Sequence, residues 1–99
     1  MLDLLPGLGA ARSDERVVVD DEHHVMTAAG VSSGIDMALV LASRIAGDEF
    51  AQNVQLLIEY DPQPPFDCGS PEKAPPEVVE MLRTAAKAYL DSGEPAAAR

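Results

Sequence analysis

Val25-Met26-Thr27-Ala28-Ala29-Gly30-Val31-Ser32-Ser33-Gly34-Ile35-Asp36 passes from a β-prone run, through a serine pair flanked by glycines, into the start of a helical pattern. Ahead of it stands a second β-prone run, Arg16-Val17-Val18-Val19, and the polar Asp20-Asp21-Glu22-His23 between the two runs gives the signature of a hairpin over residues 16–28. Behind it, Ile35, Ala38, Leu39, Leu41, Ala42, Ile45 and Ala46 recur at helical spacing, which predicts a helix over 32–46. Ser32 or Ser33 suits its N-cap and Gly47 its C′ position. Nearly every position from Met37 to Ala46 is apolar or small, so this helix should be covered on most of its surface and belong inside something larger.

Asp48 can cap a second helix over 48–59, in which Phe50, Val54, Leu57 and Ile58 repeat at three- and four-residue intervals before Tyr60-Asp61-Pro62 ends it. Asp61 to Pro76 holds six prolines and one glycine, a composition that forces extended and turn conformations, and 61–75 reads as an ordered strap. Pro76 fits the first position of a final helix over 76–92, whose Val78, Val79, Leu82, Ala85, Ala86, Tyr89 and Leu90 form a stripe stopped by Gly93 and Pro95. Residues 1–10 read as the tail of a truncated helix, since Leu2, Leu4, Leu5 and Leu8 are apolar and Pro6, Gly7 and Gly9 break it. The expected inventory is one hairpin and three helices, and a two-stranded ribbon is marginal unless further strands or a packed face support it.

A chain of 99 residues has room for one core, and its 46% apolar content is that of a globular protein. A formal charge of −10 repels phosphate backbones, so nucleic acid is not an expected partner, and anionic membrane surfaces are disfavoured for the same reason. The longest apolar run, Ile35 to Ala46, is interrupted by Asp36, Ser43 and Arg44, so no membrane span is expected. Leu2-Asp3-Leu4-Leu5-Pro6 has neither a basic region nor a small-residue cleavage site, which makes the cytoplasm the default expectation. Cys68 is a lone cysteine, in keeping with a reducing compartment.

Taken together, Arg16 to Asp20 and Val25 to Asp36 resemble a hairpin-loop-helix unit of the ThiJ/PfpI superfamily. Gln55-Leu56-Leu57-Ile58-Glu59-Tyr60-Asp61-Pro62-Gln63-Pro64-Pro65-Phe66, continuing through Gly69-Ser70-Pro71, resembles its isonitrile hydratase branch. The amidotransferase-like transcription regulators share the loop and helix but diverge after the second helix. The resemblance runs from about Leu4 to Val79 and implies an α/β fold, the C-terminal portion of a flavodoxin-like or amidotransferase-like sandwich. It also implies chemistry in which an activated cysteine thiolate attacks an isonitrile carbon and water yields an N-substituted formamide. In that family the cysteine sits on a strand-to-helix turn and an acidic residue comes from near the N-terminus. Both would precede Met1, so no numbered residue here takes a catalytic role. The resemblance places Gly30, Val31 and Ser32 beside the absent cysteine, as a substrate-pocket rim whose amides face the ligand.

Three other readings compete at these residues. Gly30-Val31-Ser32-Ser33-Gly34 matches the G-x-S-x-G hydrolase signature, but His23 and His24 both precede Ser32 and no histidine follows, whereas that signature needs Ser, then an acid, then His. A glycine-permitted turn with a serine cap explains it as well as a pocket rim does. Cys68 lies in Pro64-Pro65-Phe66-Asp67-Cys68-Gly69-Ser70-Pro71, without the strand before and helix after that would expose a nucleophilic thiolate. Asp20-Asp21-Glu22-His23-His24 has ligand-type residues, but adjacent strand residues point to opposite faces, and a solvated turn is the simpler reading. No metal and no cofactor is therefore expected. The expected function is a part of an isonitrile-hydratase-like enzyme, inactive alone. The alternatives are a non-enzymatic chain that depends on a partner, and the ligand-sensing part of an amidotransferase-like regulator. The partner is expected to be a missing N-terminal half or a second copy in a homo-oligomer, with a small-molecule substrate bound only on completion.

Overall fold

The structure is a computed structural model, and residues 5–93 are described. Met1 to Leu4, where most of the expected helix tail falls, lie outside the described residues. Pro6–Leu8 form one 3-10 turn, stopped by Gly9 at a positive φ of 82°. A two-stranded antiparallel sheet follows, β1 (Val17–Asp20) and β2 (Val25–Ala28), and then three helices, α1 (Ser33–Ala46), α2 (Asp48–Leu57) and α3 (Pro76–Asp91). Among the described residues the chain is thus mixed α and β, a hairpin with three helices.

The hairpin pairs Val17 with Ala28, Val18 with Thr27, Val19 with Met26 and Asp20 with Val25. Side chains alternate along a strand, so Val17, Val19, Met26 and Ala28 share one face; Met26 and Ala28 are half-buried while Val25 and Thr27 are exposed, which identifies the face turned toward α1. The turn Asp21 to His24 is organised by Asp20, whose Oδ1 accepts the His23 amide at 3.1 Å, and His24 takes the left-handed conformation (φ 55°) that lets the chain re-enter the ladder. Past the strands, the Ala29 amide donates to the Arg16 carbonyl at 2.9 Å.

The hairpin lies lengthwise on α1 and is tied at both ends by charge. Arg16 pairs with Asp36 in the first turn of α1, and Asp21 accepts from Arg44 in its last turn at 2.7 Å. Helices α1 and α2 pack on each other through a junction at Gly47, whose φ of 92° and ψ of 162° fall in a region open to glycine almost alone. Gly47 is also the residue before α2, so Asp48 is the first helical residue and not the cap expected of it. As an acid in the first turn it opposes the helix dipole's positive end, which is favourable without any side-chain hydrogen bond. Helix α2 ends at Leu57, two residues short of the expected Glu59, in a Schellman turn: the Glu59 amide donates to Leu56 (3.1 Å) and the Tyr60 amide to Gln55 (3.1 Å). Glu59, at φ 52°, occupies the left-handed position that glycine usually fills. Helix α3 touches no other element among the described residues.

Candidate functional site

The loop between β2 and α1, Ala29 to Ser32, is where the chain reverses from strand to helix, and its shape comes from hydrogen bonds. The Ser33 hydroxyl accepts from the Gly30 amide at 2.6 Å and donates to the Gly30 carbonyl at 2.7 Å. Ser33 is 1% exposed, the most enclosed side chain described. The Gly34 and Ile35 amides reach back to the carbonyls of Val31 (3.2 Å) and Ser32 (3.3 Å), a tight first turn. Gly30, Val31 and Ser32 are all exposed, and Val31 is fully so. Their segment therefore stands proud of the fold at the positive end of a 14-residue helix.

This geometry bears on two readings of the serine pair, the N-cap and the hydrolase nucleophile. Ser32 is the N-cap residue by position, but neither it nor Ser33 makes a side-chain cap bond to α1. Ser33 closes the loop instead. Ser32 sits at φ −69° and ψ −29°, an unstrained helical conformation, whereas a hydrolase nucleophile is held on a strained turn. Cys68 is exposed in the strap. His23 keeps its Nδ1 2.8 Å from Asp20 Oδ2 within the hairpin turn, which draws the Asp20 carboxyl below its ordinary range. Among the described residues no group of three His, Cys, Asp or Glu side chains is placed to hold a metal ion, and no helix is long and apolar enough to cross a membrane.

A cluster absent from the sequence reading flanks the loop. Asp36, one turn into α1, accepts from Arg16 Nε on Oδ2 and from the Tyr60 hydroxyl on Oδ1. Three separate segments meet there: the residue before β1, the first turn of α1 and the exit of α2. The Tyr60 hydrogen bond, and then the Arg16 hydrogen bond, hold the Asp36 carboxyl below the usual aspartate range. Bonding to Asp36 raises both the Arg16 guanidinium and the Tyr60 hydroxyl. All three residues fall in stretches that carry the family resemblance, but their pairing spans 20 residues in one case and 24 in the other, beyond any local spacing rule.

An open apolar groove lies along the other side of α1, lined by Ala38, Leu41, Ala42, Ile45, Ala46 and Phe50. Ile45 in its lining is 77% exposed, and Leu56 and Leu57 of α2 are bare as well.

No protein-family profile matches the sequence. It is 49% identical over 88 residues to an isonitrile hydratase from Pseudomonas putida, an alignment that covers 89% of this chain and 38% of that protein. The crystal structure of a ThiJ/PfpI family protein from Pseudomonas syringae matches 87% of this chain and 35% of its own with a TM-score of 0.74 and 38% identity. The chain thus spans well under half the length of these relatives. Sequence identity of this order and a matching fold, each over most of the chain, make it similar to part of a ThiJ/PfpI family protein.

Proposed function

We propose that the chain forms the C-terminal part of an isonitrile-hydratase-like domain and takes part in hydrating an isonitrile to an N-substituted formamide only when the rest of such a domain is present. The observation that carries this reading is the 49% identity to the Pseudomonas putida enzyme over nearly the whole chain, while the chain spans 38% of that enzyme. In this reading Gly30, Val31 and Ser32 rim the substrate pocket; Val31 and Ser32 supply the amide donors, and Ser33 holds the loop in place by engaging the Gly30 amide and carbonyl. The loop's exposure and its position at a helix N-terminus support that role. Nucleophile and acid come from the remaining domain, and Cys68 takes no part. The setting is cytoplasmic.

The purified chain, incubated with an isonitrile, is expected to release no formamide above a buffer blank. Grafted in place of the matching segment of the Pseudomonas putida enzyme, it is expected to support turnover, and Cys68→Ala in that chimera to leave the rate unchanged. A folded chimera without turnover, beside an active parent, overturns the proposal. A second reading, a non-enzymatic chain dependent on a partner, draws on the bare groove of α1 and α2. It is favoured if the chain binds a second copy or another protein while no chimera turns over.

A further inference from the structure

Arg16 meets both ends of the exposed loop. Its carbonyl accepts the Ala29 amide at 2.9 Å, just before Gly30, and its guanidinium donates to Asp36, just after Ile35. One residue thus bridges the last position before the loop and the first full turn after it. The opposite oxygen of Asp36 is taken by Tyr60, so the carboxylate is gripped from two sides and cannot swing toward one donor without releasing the other. Tyr60 is delivered there by the Schellman turn, at the expense of a non-glycine residue, Glu59, in the left-handed region. A fold retains such a conformation where the surroundings over-determine it. Gly30, Val31 and Ser32 are exposed, so burial does not set the loop's shape. Hydrogen bonds must set it: the Ser33 staple, the Gly34 and Ile35 amides on the loop's own Val31 and Ser32 carbonyls, and, at its two flanks, the bonds to Arg16 and Asp36.

We propose that Arg16, Asp36 and Tyr60 are positioning residues that clamp the Gly30–Ser32 loop into one shape, so that the Val31 and Ser32 amides are pre-arranged for a ligand carrying negative or partially negative charge, the Gly30 amide being held by Ser33. The functional meaning of the clamp rests on the pocket-rim reading given above. Its mechanical effect does not. A loop held before binding loses less entropy when a ligand arrives, and a misplacement of one ångström in such a segment weakens the contacts it offers.

Amide hydrogen exchange by NMR on the full 99-residue chain tests the clamp. In the wild type the amides of Gly30, Gly34 and Ile35 should be protected. Asp36→Asn and Arg16→Gln should each accelerate them about tenfold, as expected for losing a charge-assisted hydrogen bond. Arg16→Lys should recover part of the protection, because the charge returns without the planar fork. Tyr60→Phe should act in the same direction and more weakly. The Val54 and Gln55 amides inside α2 should change less than about twofold in every variant, since local opening is confined to its own cooperative unit. Unprotected loop amides in the wild type, variants that leave the loop unchanged, or equal acceleration in the loop and in α2 would each overturn the clamp. Turnover of the chimera is read separately, so an inactive chimera with a protected loop refutes the hydratase role and leaves the clamp standing, and the reverse holds as well.

Discussion

Gly47 joins α1 to α2 at φ 92° and ψ 162°, and a Cβ built there meets nothing within 4 Å. Gly47→Ala therefore isolates backbone strain from steric clash, and it is expected to destabilise the α1–α2 unit by about 1–3 kcal/mol, read as a lowered urea midpoint of helical circular dichroism. Asp36 and Tyr60 give the clamp a pH window with two sides. The Asp36 carboxyl titrates below 3.8, so its contribution is complete above that value and is lost as pH falls through its lowered folded value. The Tyr60 hydroxyl is held above 10.0, so its contribution is complete below that and lost as pH rises through the raised folded value. Loop protection, corrected for intrinsic exchange, should be flat between the two limits and fall at each; an acid-side fall that Asp36→Asn leaves unchanged would refute the assignment to Asp36. Cys68, exposed in the strap, should tolerate Cys68→Ser with a stability change under about 0.5 kcal/mol by denaturant titration. At this scale the sequence told less than at any other. A serine before a helix spells an N-cap, yet Ser33 turns back to Gly30, because a hydroxyl can satisfy either neighbour and only the path of Ala29 to Ser32 decides which.

Helix α3 is the element with the least support. It carries Val78, Met81, Leu82, Tyr89 and Leu90 exposed, and among the described residues no other element covers them. A helix of 16 residues without tertiary packing is marginal in water, since nucleation is costly and propensity alone repays it slowly. Its amides should exchange at least about tenfold faster than those in the middle of α1, which is braced by the hairpin and α2; equal protection would mean that α3 has found a surface to lie on. Element types were legible in the sequence because they are written locally. The valine run of β1, the helical spacing from Ile35 to Ala46 and Pro76 at the start of α3 each need only a few neighbours to be read. The α2 terminus was not, because Glu59 is a residue that no cap rule selects for a left-handed position.

At the scale of the molecule, the accessible surface of 8233 Å² is about half as much again as the roughly 5,400 Å² expected for a folded chain of this mass. The radius of gyration is 16.5 Å, where about 13 Å is usual for this length. Ala51 is the one apolar side chain buried among those described. Such a surface suits a piece that packs against more protein, and the purified chain should bind a hydrophobic dye and self-associate by light scattering. A monomer with a sharp cooperative melt and no dye binding would contradict this. The bareness of the groove was foreshadowed by the apolar run from Met37 to Ala46, which has more sides than one hairpin and one helix can cover. The hairpin raises a further matter. With two strands in its sheet, each strand is an edge, and each presents a row of backbone donors and acceptors pointing outward. Val17-Val18-Val19 is a β-prone triplet on such an edge, and it is flanked by Arg16 and Asp20, charges at the places where gatekeepers against strand-to-strand stacking act. Arg16 pairs with Asp36, so releasing the clamp would free the loop and at the same time alter the charge that guards one end of this edge.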